Sequence, residues 1–192
     1  MYGHTADIPN LYHDLMGFWE SCALFDAEGK DTLWLTVMYE PSFFKPLSRR
    51  LTRIYSKLKT GETRIAEHLY IDRIDFCEFG NSRPFRIRVV NQFNDNYDHF
   101  YVKVADANRI YGLEFEDILS PNRINYLVRD DTLIEEHIPG IPGDTFIGRH
   151  FENPDTNRVR LAKEFIKFSQ RSFIRLLGDM RSYNYVVDMT PD

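Results

Sequence analysis

Residues 176–188 read LLGDMRSYNYVVD, and this stretch decides how the rest of the chain is interpreted. A helix that ends at Gly178 would place Asp179 in a tight turn, where its carboxylate can project into a cleft. Asn184 follows five residues later, just before a run of β-formers. A carboxylate that accepts a hydroxyl proton and an amide oxygen that binds Mg²⁺ are the groups that phosphoryl transfer needs beside its nucleophile. The alternative is an ordinary helix-loop-strand joint with Asp and Asn as turn formers.

The composition is that of a folded protein of one domain, or of one domain with an extension. The 192 residues are 43% hydrophobic, and 24 basic against 29 acidic residues give a net charge of −5. This charge gives no general reason to expect nucleic-acid binding. Cys22 and Cys77 lack metal-type spacing and are expected to be buried free thiols. We expect a cytoplasmic protein, since no secretory signal and no stretch of about 18 apolar residues is found.

The first seventy residues predict helices and one hairpin. A short helix is expected over residues 8–19, and two strands are expected around a turn at 27–31 that contains Gly29. An amphipathic helix follows, with Pro46 in its first turn and Gly61 just past its end. Its apolar residues recur at i, i+4, i+7, i+8 and i+11. They are Leu47, Leu51, Ile54, Tyr55 and Leu58.

From residue 70 onward the pattern favours strands. A hairpin around 80–82 is followed by the strand HFYVKVAD (99–106), in which Tyr101, Lys103 and Ala105 share one side. A helix over 107–120 is stopped by Pro121, and a further hairpin turns at residues 130–131. After the repeated Ile-Pro-Gly of residues 138–143, a long helix is expected from a cap at Asp155 or Thr156 to Gly178.

Five of these segments, in this order, carry a resemblance to a known family. GDMRSYNYVVD resembles the catalytic loop of the protein-kinase-like superfamily, and is closest to the aminoglycoside and choline phosphotransferase branch, whose loop reads H-G-D-x4-N before a hydrophobic strand. DTLIEEHIPGIPGDTF resembles that branch's hinge. FYVKVAD resembles the strand with the phosphate-binding lysine, ANRIYGLEFEDILSP the helix whose glutamate pairs with it, and EFGNSRPFRIRV the loop over the nucleotide phosphates.

The resemblance implies an α+β fold in three parts. Residues 70–138 would form a kinase-like small lobe with an antiparallel sheet and one packed helix. Residues 1–69 would form an α/β extension before it. Residues 139–192 would form the first helices and the catalytic-type loop of a truncated helical lobe.

The resemblance also implies roles for residues of the loop and of the lysine strand, with ATP and Mg²⁺ as cofactors. Asp179 would be the base, Arg181 would steady the transferring phosphoryl group, and Asn184 would bind the metal. Lys103 would hold phosphate oxygens. Its partner would be Glu114, which lies one turn before Ile118 on the side expected to face the sheet, or else Glu116.

The remaining nucleotide contacts would be made by the main chain. The turn Gly80-Asn81-Ser82 can offer backbone N–H groups to phosphate, although it carries one glycine and also fits a plain hairpin turn. At the hinge, the backbone of Glu136–Ile138 would meet an adenine edge.

The sequence departs from the family at two points. Leu177 stands where relatives usually carry His, and no second metal-binding Asp follows before residue 192. The long helix also has an apolar face, with Phe165, Phe168, Ile174 and Leu177, that needs a cover and could bind a protein partner or a second copy. We therefore expect an ATP-dependent phosphotransferase that acts on a hydroxyl, of a small molecule rather than of a protein, but that is incomplete and inactive as an isolated chain. The alternative is a non-catalytic kinase-like (pseudokinase) module that binds a protein or another partner.

A basic segment within the predicted amphipathic helix is a second candidate binding surface. Residues 45–64 carry seven Lys and Arg against Glu62, a net charge of +6. This helix either presents a solvated basic side or forms a surface for an acidic partner, a nucleic acid or an anionic membrane.

Overall fold

A computed structural model describes residues 11–62, 67–120 and 123–189, and within them the chain has the predicted α+β architecture. The main sheet has seven antiparallel strands, and two further strands form a second, two-stranded sheet. The strands are β1 Glu20–Phe25, β2 Asp31–Met38, β3 Leu69–Phe76, β4 Phe85–Asn91, β5 Tyr97–Val104, β6 Tyr126–Arg129, β7 Thr132–Glu136, β8 Ile141–Pro142 and β9 Val186–Val187. The α-helices are α1 Tyr12–Leu15, α2 Pro41–Thr60, α3 Ala107–Leu119, α4 Gly143–Arg149 and α5 Arg158–Ile174, and a 3₁₀ turn covers Ser182–Asn184.

The chain divides into two compact units. The first comprises residues 1–106 and 124–137, and the second comprises residues 107–123 and 138–192. The first unit holds the seven-stranded sheet in the order β1-β2-β3-β4-β5-β7-β6. Strand β2 pairs directly with β3, through Leu35–Phe76 and Thr36–Asp75, so the hairpin of the predicted N-terminal extension continues the same sheet. The three-part division into residues 1–69, 70–138 and 139–192 stays a prediction.

The two faces of this sheet have opposite character, because residues opposite one another on antiparallel strands share a face. One row across six strands is apolar, and it consists of Leu35, Phe76, Phe85, Val102, Ile134 and Leu127. The neighbouring row points to the other face and is polar or aromatic. It consists of Thr36, Asp75, Arg86, Tyr101, Glu135 and Tyr126. Lys103 belongs to this second face.

Helix α2 covers the apolar face, as its periodicity predicts. Leu47 and Leu51 are fully buried, and Ile54 and Leu58 are nearly so, which stabilises the fold by about 2 kcal/mol for each side chain. Gly61 ends the helix in the left-handed conformation, with φ of 78°. The predicted start was wrong, because Pro41 occupies the first turn and Pro46 lies inside the helix. A proline inside a helix costs about 3 kcal/mol, and the burial of the four apolar side chains of α2 offsets this cost.

Helix α5 differs from its prediction at both ends. The cap is Asn157, whose side chain accepts a hydrogen bond from the backbone N–H of Arg160 at 3.0 Å, rather than Asp155 or Thr156. The helix ends at Ile174, four residues before Gly178. The residue with the left-handed backbone is Leu176, with φ of 56°, and the N–H of Leu177 closes the end on the carbonyl of Ser172.

The helix expected over 8–19 is limited to Tyr12–Leu15 in the described residues, and residues 1–10 lie outside them. Cys22 is exposed and Cys77 half-buried, so the expected burial of both thiols was wrong. Among the described residues, no helix is both long enough and apolar enough to cross a membrane.

Candidate functional site

The catalytic-type loop brings three of the predicted site residues together in the second unit. Arg181 donates from Nε to Oδ1 of Asp179 at 2.7 Å, and its Nη2 contacts Oδ2 of the same carboxylate. The backbone N–H of Arg181 also donates to Oδ1 at 3.3 Å, and the side chain of Asn184 lies near enough to Asp179 to help to lower the pKa of its carboxyl group. The spacing D-x4-N therefore places the amide against the carboxylate.

This arrangement fixes the charge of the loop. The hydrogen bond from the Arg181 side chain, with smaller help from Asn184, lowers the pKa of Asp179 to about 2. The pKa of Arg181 is raised by the same contact. The carboxylate is thus ionised throughout the physiological pH range, and both of its oxygens face a cation at the exposed surface.

Two segments anchor the loop, and sequence reasoning did not foresee the closest contact. The N–H of Gly143 donates to the carbonyl of Tyr185 at 3.0 Å, and β8 pairs with β9 immediately beside it. A Cβ at Gly143 would collide with the Tyr185 ring and with the Ser182 carbonyl oxygen. Only glycine allows the backbone to approach the loop this closely. The second Ile-Pro-Gly, at residues 141–143, is therefore the signal in the sequence from which this contact could have been predicted.

The other anchor is aromatic. The ring of Tyr185 packs 5.6 Å from that of Phe165 and 5.2 Å from that of Phe168. Two of the side chains expected to need a cover therefore contact the loop itself. The most exposed apolar side chains of α5 are instead Phe173, Val159 and Ile166, at 84%, 67% and 59% exposure.

In the first unit, Lys103 has the anionic partner that a lysine in a strand requires. Its Nζ lies 2.5 Å from Oε2 of Glu135, on the adjacent strand β7. The Glu135 side chain is only 3% exposed, against 21% for Lys103, so the pair is largely withdrawn from water. Sequence reasoning missed Glu135, which lies opposite Tyr101 on the paired strands and shares its face with Leu133, the residue opposite Lys103.

The glutamates predicted to pair with Lys103 lie on α3, in the second unit. Within that unit, Glu116 forms an ion pair with Arg175, the residue that follows α5. The pKa of Arg175 is lowered, first by desolvation and then by the nearby Arg171, while Glu116 opposes the shift. A role for Glu114 beside Lys103 stays a prediction.

Charged and aromatic side chains surround Lys103 on its face of the sheet. Asp75 is fully buried and accepts from the Arg73 and Arg86 guanidinium groups at 2.9 and 2.8 Å. The Arg86 guanidinium lies 4.6 Å above the ring of Trp34. This face therefore presents paired charges and aromatic rings, in contrast to the apolar face beneath α2.

The loop expected over the phosphates is a closed turn. The N–H of Arg83 donates to the carbonyl of Gly80 at 2.8 Å, and Asn81 and Ser82 lie between them. Gly80 does not have a positive φ. A side chain there would come within 2.9 Å of Cδ of Pro84, so the glycine is explained by this close approach.

At the predicted hinge, two backbone donors are already used. The N–H of Glu136 donates to the carbonyl of Asn125 at 3.0 Å, and that of His137 to the carbonyl of His99 at 3.3 Å. The carboxylate of Glu136 accepts from the backbone of Asn125 at 2.6 Å. Ile138, the last hinge residue, has a side chain that is 45% exposed. An adenine edge at this strand would have to meet carbonyl groups or the backbone of Ile138.

Comparisons with known proteins found no relative of this chain. No family model, no curated protein and no solved structure matches it.

Proposed function

We propose that this chain is the nucleotide-binding and catalytic-loop portion of an ATP-dependent phosphotransferase of kinase-like fold, which acts on the hydroxyl of a small molecule. The observation that carries the proposal is the contact between Asp179 and Asn184 in a loop held by Gly143. Turn-forming Asp and Asn residues need no contact with each other, whereas a base and a metal ligand must converge on one reacting centre.

The proposal gives a role to each of the predicted groups. In the second unit, Asp179 would accept the proton of the acceptor hydroxyl, and Arg181 would leave the carboxylate to hold the transferring phosphoryl group. In the first unit, Lys103 would bind phosphate oxygens, and Glu135 would orient its ammonium group. The main chain of residues 80–82 would lie over the phosphates, and that of residues 136–138 would meet the base.

The donor set fits the metal that the family uses. The carboxylate of Asp179 and the amide oxygen of Asn184 are hard oxygen ligands, which Mg²⁺ prefers over nitrogen or sulfur. Both oxygens of Asp179 accept hydrogen bonds from Arg181, so metal and guanidinium would compete for them. ATP bound with Mg²⁺ would supply the phosphoryl group that is transferred.

Thermal unfolding with ATP, with and without Mg²⁺, tests the proposal directly. Nucleotide at a hundred times its Kd stabilises a protein by about 2.7 kcal/mol, which raises the Tm of a chain of this size by roughly 5–10 °C. We expect Lys103→Met to lose the nucleotide shift, and Asp179→Asn to lose only the part that needs Mg²⁺. Asp188→Asn, at an exposed carboxylate just after β9, is the matched control. An unchanged Tm with ATP and Mg²⁺ would contradict the proposal.

Transfer of the γ-phosphate separates binding from catalysis. We expect the isolated 192-residue chain to bind nucleotide without phosphorylating a panel of small hydroxyl compounds. Measurable transfer or ATP hydrolysis by this chain alone would overturn that expectation of incompleteness.

A non-catalytic kinase-like binding module is the second candidate. It is favoured by the two-point contact of Arg181 with Asp179, which occupies the carboxylate that would have to accept a proton. In that case ATP and Mg²⁺ would leave the Tm unchanged, and the fold would serve partner binding alone.

A further inference from the structure

Helix α2 carries a line of cations along its solvent side. Lys45, Arg49, Arg53 and Lys57 recur at intervals of four residues. The first three are exposed, and Lys57 is half-buried. Within the described residues, their side chains have no hydrogen bond or ion pair. This line of four residues is called the α2 basic line below.

The other two cations of α2 are already used. Arg50 donates to Asp14 at 2.7 Å, and Lys59 lies 3.0 Å from Asp98 and 3.3 Å from Glu136. These ion pairs, together with the buried leucines, hold the helix on the sheet. The α2 basic line is therefore not needed to dock the helix, and it is presented on a rigid element.

The spacing of the line fits a short extended polyanion. Four helical residues rise about 6 Å, so the four cations span about 18 Å. In an extended peptide, alternate side chains lie about 6.7 Å apart on one side, and four of them span about 20 Å. Successive cations also turn by about 40° around the helix axis, or about 120° from Lys45 to Lys57, so a peptide with carboxylates at every second position meets neighbouring cations of the line, such as Arg49 and Arg53, in register.

The charge of the rest of the chain selects the class of partner. Helix α2 has six basic and no acidic residues, and because the whole chain carries −5, the rest carries −11. A duplex or an anionic membrane extends well beyond the line and would be repelled by this remainder over a Debye length of about 8 Å. The apolar face of α2 is buried on the sheet and cannot insert between lipids. A short acidic peptide touches only the line.

We propose that the α2 basic line binds a short, extended acidic segment of a partner protein, in which carboxylates recur at every second residue. The proposal does not depend on phosphotransfer by this chain. It assigns a role to the basic segment that the sequence left open between a solvated side and a binding surface.

Fluorescence anisotropy with a labelled peptide tests it. The probe is a nine-residue peptide with Glu at positions 2, 4, 6 and 8, and the control probe has Gln at those positions. We expect the Glu peptide to bind the whole chain at 50 mM salt, to weaken about tenfold by 300 mM salt, and the Gln peptide not to bind.

Two double variants localise the surface. Arg49→Glu with Arg53→Glu is expected to abolish binding. Lys30→Glu with Lys163→Glu makes the same change in net charge at exposed lysines outside α2 and is expected to leave binding within twofold. Circular dichroism checks that both double variants fold. If Arg49→Glu with Arg53→Glu does not fold, Arg49→Gln with Arg53→Gln takes its place.

Three results would overturn the proposal. Equal weakening by both double variants would mean a general effect of net charge. Tighter binding to a 20-base-pair duplex or to phosphatidylserine vesicles than to the Glu peptide would mean another class of partner. No binding of the Glu peptide at 50 mM salt would mean a solvated helix side.

Discussion

Gly143 offers the sharpest test of how the loop is held. In Gly143→Ala, the new methyl group would meet the Ser182 carbonyl oxygen and the ring of Tyr185. The carbonyl belongs to the backbone and cannot rotate away, so the loop must move. Overpacking of this kind costs about 1–3 kcal/mol. The hydrogen bond from Gly143 to Tyr185 would be lost as well, at about 1 kcal/mol, which gives about 2–4 kcal/mol in total.

The assay is urea unfolding followed by fluorescence, with amide hydrogen exchange at residues 182–187 to detect local opening. Gly148→Ala is the matched control, because Gly148 lies in the same helix α4 and a Cβ there meets nothing within 4 Å. The control is expected to stabilise the helix by about 0.5–1 kcal/mol. If Gly143→Ala were as stable as Gly148→Ala, with unchanged exchange in the loop, the proposed anchoring would be wrong.

Four further substitutions test the polar face of the sheet. Asp75→Asn leaves two guanidinium groups beside a fully buried amide, and we expect a loss of about 3 kcal/mol in chemical denaturation. Lys103→Met removes the ammonium group beside the largely buried carboxylate of Glu135 and should cost a similar amount. Adding Glu135→Gln should restore much of this stability, as a double-mutant cycle would show. Desolvation lowers the pKa of His99 to about 4. The unfolded chain therefore binds more protons than the folded chain between pH 6.5 and 4, and stability should decrease as the pH is lowered through that window. His99→Gln should flatten this dependence in urea midpoints measured from pH 4 to 7.

Local patterns were sufficient to predict most elements. The spacing of Leu47, Leu51, Ile54 and Leu58 predicted the buried face of α2, and Gly61 marked its end. The alternation around Lys103 assigned its side of β5. These signals are strong because they depend on periodicity and on backbone conformations that few residues adopt.

Tertiary contacts explain where those patterns failed. The end of α5 depends on the hydrogen bond from Leu177 to Ser172, which lets a leucine take a left-handed backbone that usually selects glycine. The contact between Gly143 and Tyr185 joins segments about forty residues apart, and β8 and β9 have two residues each. Strands of two residues are too short to show the alternation of apolar and polar residues from which strands are predicted. Glu135 was missed because a buried carboxylate within an apolar strand is recognisable only once Lys103 is placed beside it.

The contact of Arg181 with Asp179 distinguishes the two candidate functions, because it would have to open for catalysis and can stay closed in a binding module. Both side chains are exposed, and exposed ion pairs are weak and screened by salt. A phosphate group carries more negative charge than one carboxylate and offers the same guanidinium a better two-point partner. A bound nucleotide could therefore draw Arg181 away and leave Asp179 ionised beside Asn184, which is the state that proton transfer requires. Without a nucleotide the same contact simply neutralises the loop. Under the proposed function, the chemistry of this site would depend on whether a phosphate reaches Arg181, rather than on the loop geometry alone.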